Sequence, residues 1–205
     1  MRNKWFLLLL LLPGLGACLK SPDTGVLSTN FVVQTSRNQS SNFQSYKTYY
    51  ISDTIKLRNT NPLDTLWFDA NAKQLIATVK SNMAARGYTL VSKGSKPDLG
   101  VSFTAIKDLN VGVIYPGWWW GYWGCYWGWC YYPPYYPSSG YVYTIPTGTL
   151  VLDLVDFKNA VTNNNLTVTW NSVMSGGLGY TANDIQLGIN AINQSFAQSA
   201  YLKTN

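Results

Sequence analysis

Leu75, Val79 and Met83 recur every fourth residue between positions 69 and 88, and Ala72 and Ile76 widen them into one apolar stripe. This spacing predicts an amphipathic helix with its stripe turned to a core. Asp69 or Asn71 can cap its start, and Gly87 supplies a left-handed stop. A second stripe, Ile185, Ile189, Ile192 and Phe196, predicts a closing helix that opens at Thr181, with Asp184 completing a weak capping box. Elsewhere the apolar period is two, the period of a strand. Leu99, Val101, Phe103 and Ala105 share one face of a strand, and Leu150, Leu152 and Leu154 share one face of another. After the turn "AVTNNN", a returning strand carries Leu166, Val168 and Trp170 on one side. "NFVVQTSR", "YKTYYI" and "YTLV" read as further strands, and Asn61-Pro62 marks the stretch "LRNTNPLDTLWF" as connecting loop.

These elements predict an α+β fold: a single, mostly antiparallel sheet with two amphipathic helices packed on one face, plus a long aromatic-rich loop insert. The stretches "SYKTYYI", "ARGY", "PDLGVSF" and "GTLVLDLVD", then a turn and a strand bearing Trp170, resemble the domain of unknown function 4136 family. The resemblance runs from about Asn30 to Leu202. It implies a lipid-anchored protein of the Gram-negative envelope and carries no established activity. Members often have a basic residue and Gly after the Trp, where this chain has Asn171-Ser172.

The first residues agree with such an anchor. A basic "MRNK" precedes the apolar "WFLLLLLL", which is too short to span a bilayer and is broken by Pro13 and Gly14. Leu15-Gly16-Ala17-Cys18 then resembles a bacterial lipobox, which predicts cleavage between Ala17 and Cys18 and acylation of Cys18. Two or three acyl chains hold a protein stably, at ~0.8 kcal/mol per buried methylene. The domain layout is therefore a signal peptide at 1–17, a tether at 18–29 and an α+β domain at 30–205 with its insert at 115–141. Leu19-Lys20 offers no Asp for inner-membrane retention, so the expected site is the outer membrane, with the leaflet open.

Composition narrows the chemistry. The chain has no His, and all nine carboxylates are Asp. Ser-His and Cys-His pairs are thus impossible, and metals lose their commonest nitrogen ligand. A Ser-Lys pair or an Asp dyad remains conceivable, but Asp153 and Asp156 stand three apart on a strand and so face opposite ways. The expectation is a non-enzymatic protein without metal or cofactor. Its formal charge is +6, of which Arg2 and Lys4 leave with the leader. The cations are scattered in sequence, so no nucleic-acid partner is expected.

The insert "YPGWWWGYWGCYWGWCYYPPYYPSSGY" holds six Trp and eight Tyr, and no charge occurs between Leu109 and Leu152. Its Gly and Pro exclude a membrane helix. Trp and Tyr are nevertheless the residues enriched where membrane meets water. Trp118, Trp119, Trp120, Tyr122, Trp123, Trp127 and Trp129 are the candidate contact residues. Cys125 and Cys130 can close a small ring worth ~2 kcal/mol in an oxidising compartment; free thiols are one alternative, and zinc, the other, is left short of ligands by two Cys and no His. Four readings stay open for the insert: a contact surface for membrane or an envelope partner, a glycan platform, an internal mini-core, and a self-associating tract.

Overall fold

The computed structural model describes residues 31–59, 63, 65–107, 111–114, 143–145, 147–160, 166–179 and 183–204. In chain order the strands are β1 (Val32–Arg37), β2 (Thr48–Ile51), β3 (Ile55–Arg58), β4 (Leu66–Trp67), β5 (Thr89–Leu90), β6 (Leu99–Ile106), β7 (Val111–Ile114), β8 (Tyr143–Ile145), β9 (Thr149–Asp156) and β10 (Thr167–Ser175). The helices are α1 (Ala70–Ala84) and α2 (Ile185–Ala197).

Eight strands form one mixed, mostly antiparallel sheet. Its body runs β1-β10-β9-β6, all antiparallel. The outer edge of β6 is shared by two parallel neighbours: β2 lies against Leu99–Val101 and β3 against Thr104–Ile106. β5 then flanks β2, and β4 flanks β3. β7 and β8 form a separate two-stranded ribbon between β6 and β9. The stretch expected to be loop therefore contains part of β3 and all of β4, because Leu57 and Trp67 join the core.

One face of the sheet carries the core. Leu99, Val101, Phe103 and Ala105 meet Leu150, Leu152, Leu154, Trp170 and Met174 there, as the alternation predicts. Val168 departs from its predicted face. A register shift between Val168 and Trp170 pairs Val168 with Val155 and Trp170 with Leu154, so the two side chains point to opposite faces. The extra residue, Thr169, bonds its hydroxyl to the Leu154 carbonyl at 3.1 Å.

Both helices cover this core face. Asp69 caps α1 by accepting from Ala72 N–H at 2.9 Å, and Gly87 stops it at φ 85°. α2 begins later than expected: Asp184 is its cap, accepting from Leu187 N–H at 3.0 Å, and the predicted opening at Thr181 lies outside the described residues. The helices run parallel to each other. A Cβ on Gly188 would lie 2.8 Å from a Leu75 methyl, Asn82 donates to Asn193 at 2.7 Å, and Arg86 stacks on Phe196. Contacts thus advance together along both helices.

Candidate functional site

Ala17, Cys18, Cys125, Cys130, Trp118, Trp119, Trp120, Tyr122, Trp123, Trp127 and Trp129 all lie outside the described residues. The structure does fix the points from which the chain reaches them. The aromatic segment leaves the sheet through β7 and returns through β8, beside the pairing Ile106↔Thr149. From there the register runs Ala105↔Leu150, Leu150↔Met174 and Ser175↔Val32. The first described residues, Phe31 and Val32, therefore start at the same end of the sheet. We call this the entry end.

The entry end gathers more of the chain. Gly148 N–H donates to Ile106 C=O at 2.9 Å, Leu178 N–H to Gly148 C=O at 2.8 Å, and Asp184 N–H to Leu178 C=O at 2.9 Å, which seats the start of α2 here. α1, parallel to it, also starts at this end. Phe68, immediately before the Asp69 cap, is 65% exposed, and Leu63, in the β3–β4 connection, is 90% exposed. Val32 is more than half exposed as well. Lys107 lies 3.7 Å from the centre of the Trp67 ring, a cation–π contact at the root of the ribbon. Asp69 is held below the usual carboxylate range, first by the Ala72 N–H bond, so it stays ionised at the helix start.

A feature that the sequence pattern does not announce lies on the second face of the sheet. Ser102 pairs with Asp153, Asp153 with Asn171, and Asn171 with Ser36, a polar row across four strands. Lys56, opposite Thr104, adjoins it. Lys56, Ser102, Asp153 and Asn171 are all buried. Asn171 donates its amide to Asp153 at 2.7 Å. Burial pushes the Lys56 amine down to about 8, and the charges of Asp153 and Arg58 pull in opposite directions on it. Polar residues at 102, 104 and 153, alternating with apolar ones, have the pattern of a solvated strand face, and so give no sign of burial. The Ser102 hydroxyl has no hydrogen-bond partner among the described residues.

Asp153 and Asp156 do point to opposite faces. Asp156 ties the turn after β9, accepting from Asn159 N–H and side-chain amide at 2.9 and 2.7 Å, and from Tyr46 O–H at 2.9 Å. Desolvation, followed by the Asp156 charge, pushes the Tyr46 phenol upward. Both carboxylates are thus engaged with local donors. Among the described residues, no three Cys, His, Asp or Glu side chains gather where a metal ion would need them.

The family model described as a domain of unknown function (DUF4136) matches residues 33–199. The chain belongs to the DUF4136 family. Its fold is similar to the crystal structure of a DUF4136 family protein from Bacteroides thetaiotaomicron, at 29% identity and TM-score 0.67, over 85% of this chain and 98% of that one. It is more distantly similar to a PelC dodecamer from Paraburkholderia phytofirmans, at 11% identity and TM-score 0.40, over 85% and 99% of the two chains. No match was found among curated protein sequences. The DUF4136 match begins in β1 and ends just beyond α2, so it spans the aromatic segment as well as the sheet. No helix of the described residues is long and apolar enough to cross a membrane.

Proposed function

We propose that this DUF4136 domain is a non-enzymatic protein of the outer membrane, held by acyl chains on Cys18, that offers its aromatic segment 115–141 as a contact surface to the membrane or an envelope partner. The observation that carries this reading is the register linking Val32, Ser175, Leu150 and Ile106. It brings the start of the domain and both roots of the aromatic segment to one end of the sheet. A tether from Cys18 to Phe31 reaches at most ~45 Å when extended. An anchor on that tether would hold the entry end toward the bilayer, where Trp and Tyr are favoured. The exposed Phe68, Leu63 and Val32 at the same end fit an apolar surrounding.

Two measurements test this. Radioactive palmitate should label the chain and be lost in Cys18→Ala; labelling that persists in the variant would remove the anchor. Trp emission of the unlipidated Cys18→Ser chain should shift to the blue on adding vesicles, and the shift should vanish when 115–141 is deleted. Quenching by soluble peptidoglycan fragments without a lipid response would instead favour a glycan platform.

A second reading places the segment as a cover over the second sheet face. It is favoured by the burial of Ser102, Thr104, Val151, Asp153 and Val155 there. Emission that is already blue and indifferent to vesicles, with a large loss of stability on deletion, would decide for it.

A further inference from the structure

The end of the sheet opposite the entry end has the reverse character. Leu99↔Asp156 marks it, and both helices finish there. Arg37, Lys47 and Lys158 lie at this end on or beside the strands, Lys93 and Lys96 in the turn after β5, and Arg86 and Lys203 after the helices. Seven of the thirteen Lys and Arg that follow Cys18 are here, against two of the nine Asp. The net charge is +5 at this end, while the rest of the chain after Cys18 sums to −1. The two acids are turned to structural work: Asp98 accepts from the Lys47 and Thr48 amides at 2.6 and 3.1 Å, and Asp156 closes its turn.

Two of these cations, Arg86 and Lys203, line a shallow depression of about 540 Å³ together with Ala85, Gly87, Ala200 and Thr204. Arg86 is held over the Phe196 ring at 4.8 Å and donates to the Asn82 carbonyl at 3.1 Å. Arg37 is held over the Tyr201 ring at 4.5 Å, two residues from Lys203. Stacked guanidinium groups lose little freedom when they meet an anion, so part of the binding cost is already met.

We infer that this far end binds an acidic polysaccharide, through carboxylates seated at Arg86 and Lys203 and along the flanking cations. The preference for a polymer over an anionic bilayer rests on the proposed orientation, which turns this end away from the anchoring membrane. The preference over an acidic protein rests on the surface itself. Val32, Leu63, Leu66 and Phe68 lie elsewhere, and Leu90 in β5 is the one exposed large apolar residue near this end among the described residues. Protein interfaces ordinarily need an apolar centre.

The test uses the full chain with Cys18→Ser, polygalacturonate as the acidic glycan, polyglutamate as the acidic peptide and neutral dextran. Polygalacturonate should bind, weaken steeply with added salt and bind better than polyglutamate, and dextran should not bind. Lys203→Glu and Lys96→Asn, both at exposed positions, should each weaken polygalacturonate at least about fivefold. Lys73→Glu, the same charge change as Lys203→Glu but on α1 near the entry end, should leave it within about twofold. Melting temperatures confirm that each variant folds. Equal losses from Lys73→Glu and Lys203→Glu would overturn the site, as would no binding at low salt. Tighter binding of polyglutamate would overturn the glycan and assign the surface to an acidic protein. None of these results depends on the lipid anchor.

Discussion

Gly148 and Gly179 meet so closely that a Cβ on Gly148 would collide with the Gly179 carbonyl oxygen. Gly148 also sits at φ 80°, where residues with a side chain are strained. It is the residue through which the chain enters β9 from the ribbon, and its two backbone bonds join β6 to the turn before α2. Gly148→Ala should therefore cost at least ~2 kcal/mol, from strain and collision together. Gly94 is the contrast: an added Cβ there would have nothing within 4 Å, and its φ is not positive. Gly94→Ala should be neutral or stabilise by under ~1 kcal/mol. Urea unfolding of the two variants checks both; equal effects would mean that the Gly148 turn relaxes freely.

Lys56 makes stability depend on pH. Its folded pKa, about 8, lies below the ordinary 10.5, so between these values the unfolded chain binds more protons than the folded one. Stability must then rise with pH from about 8 toward 10. Below pH 8 the full cost of burying the charge is present, on the order of 3 kcal/mol. Tyr49 and Tyr88, pushed up to about 12 by burial, act oppositely. Their folded forms keep protons that the unfolded chain gives up above pH 10, so stability falls there. The expected profile rises from pH 8 and turns over near 10. In Lys56→Met the rise should disappear while the fall remains. A flat wild-type profile across pH 8–10 would show that Lys56 keeps an ordinary pKa.

Phe68 separates contact from folding. It is 65% exposed and stands just before the α1 cap, so Phe68→Ser should change stability by under ~0.5 kcal/mol. If the entry end meets lipid, a buried Phe contributes ~1.5–3 kcal/mol to partitioning. Association of the Cys18→Ser chain with vesicles should then fall about fivefold or more in Phe68→Ser. Sedimentation with vesicles measures this. Unchanged association would leave Phe68 outside any membrane contact.

Local pattern carried the parts of this fold whose cause is local. α1 was legible because Leu75, Val79 and Met83 repeat at helical spacing and Gly87 ends the run. The core faces of β6 and β9 were legible because they alternate. The parallel placement of β2 and β3 along β6 was not, since it depends on α1 and the β3–β4 hairpin returning the chain to the same edge. At α2, the sequence offered Thr181 as the opening with Asp184 only completing its box, whereas Asp184 is itself the cap, accepting from Leu187 N–H at 3.0 Å. The bulge at Thr169 swaps the face of Val168 without any Gly or Pro to announce it. For the candidate site, the density of Trp was plain in the sequence. The convergence of its roots with Val32 depends on the order β1-β10-β9-β6, which no single segment encodes.

Trp170 offers the sharpest test of the core. It is 1% exposed, its ring lies 5.4 Å from Phe196, and its indole N–H donates to the Ser199 hydroxyl at 2.9 Å. This bond fastens the segment after α2 to the interior strand β10, and so helps hold the helix on the sheet. In Ser199→Ala the indole N–H stays buried without its acceptor, which should cost ~1–3 kcal/mol. Trp170→Phe removes the donor but also ring volume, leaving a cavity and a larger loss. In the double variant no donor is left unmet, so the combined loss should be smaller than the sum of the single losses by ~1 kcal/mol or more. Four urea curves give this coupling directly. Additivity within ~0.3 kcal/mol would mean that the bond contributes nothing and that Trp170 acts in the core by its shape alone.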